Sequence, residues 1–184
     1  MDGNRLYFLI GDVSGKGVPA SLFMAITRSL FRTLSQQVLS PAKIVTDMNN
    51  SISDNNESNM FVTLIVGILD LETGKLKLCN AGHNPPILIR PDGQVSFLEF
   101  KTQIFVGVIE EFAYTEDETT LEKGSKLFLY TDGVTEAENT EKELYGDEKL
   151  LKTLSDNNTS DVRTTVNGIE DSVADHVKEA EASD

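Results

Sequence analysis

Two short stretches of the chain bring carboxylates to positions where they could do chemistry. In the first, Leu6-Tyr7-Phe8-Leu9-Ile10 is an apolar run that reads as a buried strand. It delivers Asp12 at its C-terminal end, inside Gly11-Asp12-Val13-Ser14-Gly15-Lys16-Gly17. Gly15 and Gly17 keep the turn open and narrow, and an amphipathic helix begins near Pro19. In the second, Lys126-Leu127-Phe128-Leu129-Tyr130-Thr131-Asp132-Gly133 repeats the plan, an apolar strand ending in Asp-Gly. A carboxylate at a strand end among small residues reaches a metal without steric obstruction. Two such units suggest Asp12 and Asp132 converging on a hard divalent cation, which prefers carboxylate, carbonyl and water oxygens. Each has a plainer reading alone: Asp12 as a helix cap or turn residue before Ser-Gly, Asp132 as a turn residue.

Neighbouring groups widen the possibilities. Lys16 either meets a phosphate as a point charge or is a solvated lysine on a glycine turn. The Gly11–Gly17 loop fails as a nucleotide-binding P-loop. Only Asp12, Val13 and Ser14 separate Gly11 from Gly15, and Gly17 follows Lys16 where Ser or Thr is needed. Gly11-Asp12-Val13-Ser14-Gly15 is not the G-x-S-x-G elbow of a serine hydrolase either. The single cysteine, Cys79, excludes an intrachain disulfide and a Cys-based zinc site. Its strand-like setting, Lys75-Leu76-Lys77-Leu78-Cys79, points to a small buried thiol rather than a nucleophile, in keeping with a reducing cytoplasm.

The elements that must position these groups follow from periodicity. Leu22, Ile26, Leu30, Leu34 and Val38 recur at i+4, with Phe23 and Phe31 alongside, as one apolar stripe on a long first helix. Ser40-Pro41 reads as an N-cap and first helical position, opening a second helix through Ile44, Val45, Met48 and Ile52. A strand-rich section follows: Met60 to Leu69, a turn at Asp70–Gly74, Lys75 to Asn80, Ile87–Ile89, a Pro91-Asp92-Gly93 turn, Val95–Leu98, Phe112 to Thr119 and Leu127 to Tyr130. Helices over about 146–154 and 161–179 close the chain. His176 belongs to the last of them as a surface or packing residue. Short strands with tight turns imply antiparallel sheets, and helices early and late imply an α+β sandwich within one domain spanning 1–184.

Composition bounds the class. At 184 residues the chain can bury a substantial core, and 39% hydrophobic with 25% charged residues is ordinary for a soluble domain. No apolar run approaches the roughly 20 residues that span a bilayer, so no membrane insertion is expected. Thirty acidic against sixteen basic side chains give a net charge of −14, which argues against nucleic acid as a partner. The same charge repels a phosphate ester unless cations sit in the site.

Three motifs together resemble the SpoIIE/RsbU-type branch of the PP2C (PPM) Ser/Thr phosphatases. They are Gly11-Asp12-Val13-Ser14-Gly15-Lys16-Gly17, Asn80-Ala81-Gly82-His83-Asn84-Pro85-Pro86 and Tyr130-Thr131-Asp132-Gly133-Val134-Thr135-Glu136-Ala137, in the family's order. The resemblance implies an α-β-β-α sandwich of two antiparallel sheets flanked by helices. It also implies two Mn²⁺ or Mg²⁺ ions, bridged by Asp12 and completed by the Val13 carbonyl and Asp132. Asp184 looks like the start of the family's C-terminal acidic motif, and Glu136 matches a position that holds a weaker extra ion in relatives. The alternatives are an acidic tail and a solvated Glu. His83 lies in a turn near the family's active-site rim, either structural or handling substrate or protons. Ser14 stands where eukaryotic-type relatives carry a histidine.

By the same resemblance, a metal-activated water hydrolyses phosphoserine or phosphothreonine on a small anti-anti-sigma-factor-like (STAS) protein in bacterial partner switching. An upstream sensor or receiver domain is implied, and a homodimer is left open. The usual Gly-Gly-Asp segment before the first strand is missing from the sequence, and Asp184 is its last residue. The expectation is a catalytic domain truncated by a strand at each end. The rival is a catalytically weak or inactive regulatory binding module.

Overall fold

A computed structural model describes residues 3–54, 56, 59–158 and 161–181. In chain order the elements are β1 (Arg5–Val13), α1 (Val18–Leu34), α2 (Pro41–Ser53), β2 (Val62–Asp70), β3 (Lys75–Ala81), β4 (Ile87–Ile89), β5 (Val95–Phe97), β6 (Asp117–Thr120), β7 (Lys126–Phe128), α3 (Asp132–Thr135), α4 (Gly146–Asp156) and α5 (Val162–Glu181). They fall into two units. One comprises the chain up to Pro85 together with Glu99–Leu121; the other comprises Pro86–Leu98 and the chain from Glu122 onward.

In the first unit, an antiparallel sheet runs β1-β2-β3-β6. Alternation assigns its faces. Val62, Leu64, Val66 and Ile68 of β2 share a core with Tyr7, Leu9 and Val13 of β1 and with Ile44, Val45, Met48 and Ile52 of α2. Asp12, paired with Thr63, therefore lies on the opposite face of the sheet. The two strands meet closely just before it. A Cβ at Gly11 would stand 2.7 Å from the Thr63 carbonyl oxygen, so only glycine lets β1 approach β2 there.

The stripe expected on α1 divides in two. Phe23, Leu30, Phe31 and Leu34 pack on the core, whereas Val18, Leu22 and Ile26 point outward, 71%, 61% and 53% exposed. The i+4 recurrence was real, but each four-residue step drifts about 40° around a helix of 3.6 residues per turn, so the stripe winds from solvent at Val18, Leu22 and Ile26 onto the core at Leu30 and Leu34. Phe112–Thr119, expected as a strand, pairs only from Asp117. Phe112 and Tyr114 instead stack edge to face, 4.8 Å between centroids, and pack against or within the core.

The start of α2 confirms the Ser40-Pro41 signal: Ser40 Oγ accepts from Lys43 N at 3.2 Å. Sequence gave no hint that Glu116 joins the cap. Its carboxylate accepts from Ser40 Oγ (2.5 Å), Ala42 N (3.2 Å) and Lys77 Nζ (2.9 Å). Burial alone would raise the Glu116 carboxyl, but these three donors outweigh it and hold it below the usual carboxylate range. A carboxyl lowered in the folded state adds stability above its unfolded value, and that stability is lost as pH falls through the folded value. Glu116→Gln is expected to cost about 1–3 kcal/mol at neutral pH and much less in acid. Urea unfolding of both proteins across the acid range checks this; a pH-independent difference would exclude it.

Cys79 is fully buried, and burial first, with Glu116 next, pushes its thiol up to about 12. In the native protein it is expected to resist a disulfide reagent such as dithionitrobenzoate, reacting at the rate of unfolding. Fast native reaction would contradict the packing.

The second unit has a three-stranded antiparallel sheet, β5-β4-β7. Ile87, Ile89, Tyr130, Tyr145, Leu150, Leu154 and Ile169 form its core. His176 is a packing residue: Lys149 Nζ donates to its Nδ1 (3.0 Å), so Nε2 carries the proton and donates to the Glu143 carbonyl (3.1 Å). Among the described residues, no helix is long and apolar enough to cross a membrane.

Candidate metal centre

β1 carries Asp12 to its penultimate position, where the carboxylate is exposed and Oδ1 accepts from Val13 N at 3.0 Å. That bond fixes the carboxylate's rotation and leaves its second oxygen open. Val13 turns its side chain toward the helix-covered core. Ser14 then ties the strand end to the residue before β2. Its N donates to the Phe61 carbonyl (2.9 Å), and Phe61 N donates to Ser14 Oγ (2.9 Å). The serine is thus a structural clamp. Gly15 and Gly17 reverse the chain with φ of 81° and 79° and lead into α1. Lys16, between them, is exposed and forms no ion pair with the described residues.

The second motif of this unit follows β3. Asn80 Oδ1 accepts from His83 N (2.8 Å) and Asn80 Nδ2 donates to the His83 carbonyl (3.0 Å), closing the turn. His83 is 4% exposed, and its Nδ1 lies 2.9 Å from Thr63 Oγ1. Gly82 has φ 77°, and a Cβ there would fall 2.0 Å from the Phe105 ring. That ring stacks on Phe61 at 5.0 Å between centroids. Neither Phe61 nor Phe105 was singled out by the sequence.

In the second unit, Asp132 opens the single-turn helix α3, next to Tyr130, which is anchored in the core. The Asp132 carbonyl accepts from Glu136 N (2.7 Å), and its carboxylate has no hydrogen-bond partner among the described residues. Glu136 is exposed. Asp184 lies outside the described residues.

The structure thus brings Asp12, Val13, Lys16 and His83 into one unit and Asp132 and Glu136 into the other. Among the described residues, no three His, Cys, Asp or Glu side chains are gathered into a ready-made metal cluster. What each unit offers is oxygen: an exposed or half-exposed carboxylate at an element end, not engaged in an ion pair. That donor chemistry fits Mn²⁺ or Mg²⁺, which keep several waters and need few protein ligands, and does not fit a thiolate metal.

Residues 2–184 match the family model for Stage II sporulation protein E (SpoIIE). The chain belongs to the SpoIIE family. It is 31% identical over 179 residues to Protein IcfG of Synechocystis sp., covering 83% of this chain and 28% of that protein. It is 27% identical over 173 residues to Phosphoserine phosphatase RsbU of Bacillus subtilis, covering 94% of this chain and 51% of that one. The chain therefore spans about half or less of the length of these curated relatives.

Among solved structures, the SiaA-PP2C domain of Pseudomonas aeruginosa matches with a TM-score of 0.80 at 19% identity, over 97% of this chain and 74% of that one. The catalytic domain of the phosphatase PstP, in complex with 2 manganese ions, matches with a TM-score of 0.67 at 15% identity, over 94% and 86%. The fold is that of PP2C domains, an α+β arrangement with two antiparallel sheets, as the motifs implied.

Proposed function

We propose that this SpoIIE-family domain is a metal-dependent protein serine/threonine phosphatase. Its substrate is phosphoserine or phosphothreonine on a STAS-type anti-anti-sigma factor, in partner-switching signalling in the cytoplasm. The observation that carries the reading is Asp12: an exposed carboxylate, held by Val13 N, near the end of β1 and beside a turn left open at Gly15 and Gly17. The sequence suggested β1 as a buried strand, but it is a half-buried edge strand. The name of RsbU, a phosphoserine phosphatase, and the two manganese ions of PstP support it.

Asp12, the Val13 carbonyl, Asp132 and Asp184 would hold two Mn²⁺ or Mg²⁺ ions, with Glu136 for a weaker one. When bound, the ions supply Lewis-acid activation of water and neutralise the phosphoryl oxygens. Asp12, with Oδ1 occupied by Val13 N, presents its other oxygen in one direction. Lys16, which forms no ion pair among the described residues, would meet the incoming phosphate and offset part of the chain's −14 charge. A regulatory sensor or receiver domain upstream fits the half-length match to RsbU.

The test is phosphate release from a phosphorylated STAS protein. Release on adding Mn²⁺ and its arrest by a chelator are expected. Absence of release from both phospho-STAS protein and phosphoserine peptide, with Mn²⁺ bound, would favour a binding module without turnover.

A further inference from the structure

We infer that Thr63 and His83 are positioning residues that hold the Asp12–Val13 strand end in shape for a metal ion, an inference that rests on the metal-dependent reading above. Asp12 and Thr63 face each other across β1 and β2. Thr63 Oγ1 lies 3.4 Å from the Asp12 carbonyl oxygen and 2.9 Å from His83 Nδ1. A hydroxyl has one proton. If Thr63 gives it to the Asp12 carbonyl, it must accept in turn from Nδ1–H of His83. That orientation makes a directed chain, from His83 through Thr63 to the backbone of Asp12.

The far end of that chain is anchored. His83 is buried, and Asn80, itself 3% exposed, bonds both its N–H and its carbonyl. Thr63 belongs to a central strand. On the other side of Asp12, the two bonds between Ser14 and Phe61 fasten the chain again. The Val13 carbonyl and the Asp12 carboxylate therefore sit between two clamps. Ligands to one ion must be held within about 0.5 Å of their working geometry, and that demand falls on the groups behind them. His83 meets it from inside the protein, as a support for Asp12 rather than as a group that touches substrate.

Removing partners behind metal ligands typically weakens affinity 10- to 100-fold. The experiment measures Mn²⁺ affinity on the intact protein by calorimetry and by electron paramagnetic resonance of unbound Mn²⁺. The proteins are wild type, Thr63→Val, His83→Ala, His83→Asn and Asp12→Ala. Thr63→Val and His83→Ala are expected to weaken binding about tenfold or more. The Mn²⁺ concentration for half-maximal phosphatase activity should rise in parallel. His83→Asn keeps an N–H donor near Nδ1 and is expected to recover most of the affinity.

A purely structural histidine would lower the melting temperature without changing Mn²⁺ affinity. Wild-type affinity in Thr63→Val, or equal loss in His83→Asn and His83→Ala, overturns the inference. Should His83→Ala fail to fold, the other two variants decide. If Asp12→Ala also binds Mn²⁺ normally, the metal reading itself is wrong. If Asp12→Ala loses the ion while Thr63→Val keeps it, only the positioning role falls.

Discussion

Asp12→Asn and Asp132→Asn are each expected to cut Mn²⁺-dependent phosphoserine hydrolysis by about 10³-fold or more while leaving the protein folded. The stability half of the expectation comes from the contacts. Asn at position 12 keeps an oxygen for Val13 N, and the Asp132 carboxylate bonds nothing among the described residues. Neither substitution removes a buried partner, so each should stay within the ±0.5 kcal/mol usual for surface changes. The activity half comes from charge. An amide oxygen replaces a carboxylate where a divalent ion needs negative ligands. Loss of several kcal/mol of transition-state stabilisation corresponds to about 10³-fold or more in rate. Measuring kcat/KM and melting temperature side by side on one preparation separates the two halves. Wild-type hydrolysis by either variant would return that aspartate to a turn role.

Gly82→Ala is expected to have a large effect on stability. The residue holds φ 77°, where a side chain costs roughly 1–2 kcal/mol. Its Cβ would also collide with Phe105 at 2.0 Å, and overpacking of this kind costs about 1–3 kcal/mol. The sum, about 2–5 kcal/mol, corresponds to a fall of roughly 5–15 °C in melting temperature for a protein this size. The two contributions can be told apart. Phe105→Ala removes the collision but not the backbone strain, so the double variant should lose less than the single effects added together. Additive losses would show that Phe105 does not rest on Gly82.

Much of this was legible in the chain, and the limits have physical causes. A change from an apolar run to Asp-Gly or Asp-Val-Ser-Gly drew attention to Asp12 and Asp132. Asp12 does sit at the end of β1, but β7 stops at Phe128, short of the expected Tyr130, and Asp132 opens α3 rather than closing a strand. Ser40-Pro41 located α2 because capping is local chemistry. The α1 stripe misled at Leu22 and Ile26 because periodicity reports an apolar face without saying what covers it. Glu116 at the α2 cap, Phe105 over Gly82 and Thr63 behind Asp12 were invisible for one reason. Each joins residues far apart in sequence: Ser40 to Glu116, Gly82 to Phe105, Thr63 to His83. Only strand pairing and loop closure bring such partners together. His83 shows the distinction most clearly, since its motif announced importance but its burial was set by tertiary packing.

The order in which the strands are made has its own consequence. β4 is Ile87-Leu88-Ile89, and it pairs on one side with β5 and on the other with β7 at Lys126–Phe128. On a ribosome, the β4–β5 hairpin emerges well before β7. Between them comes β6, which completes the sheet of the first unit against β3. Throughout that interval the hairpin presents an apolar strand with an open row of backbone donors and acceptors, the kind of edge that pairs with other chains. The first unit can close early around its own core, while the second must wait for a distant segment. Nascent chains caught in that window are the ones a holding chaperone has most reason to bind.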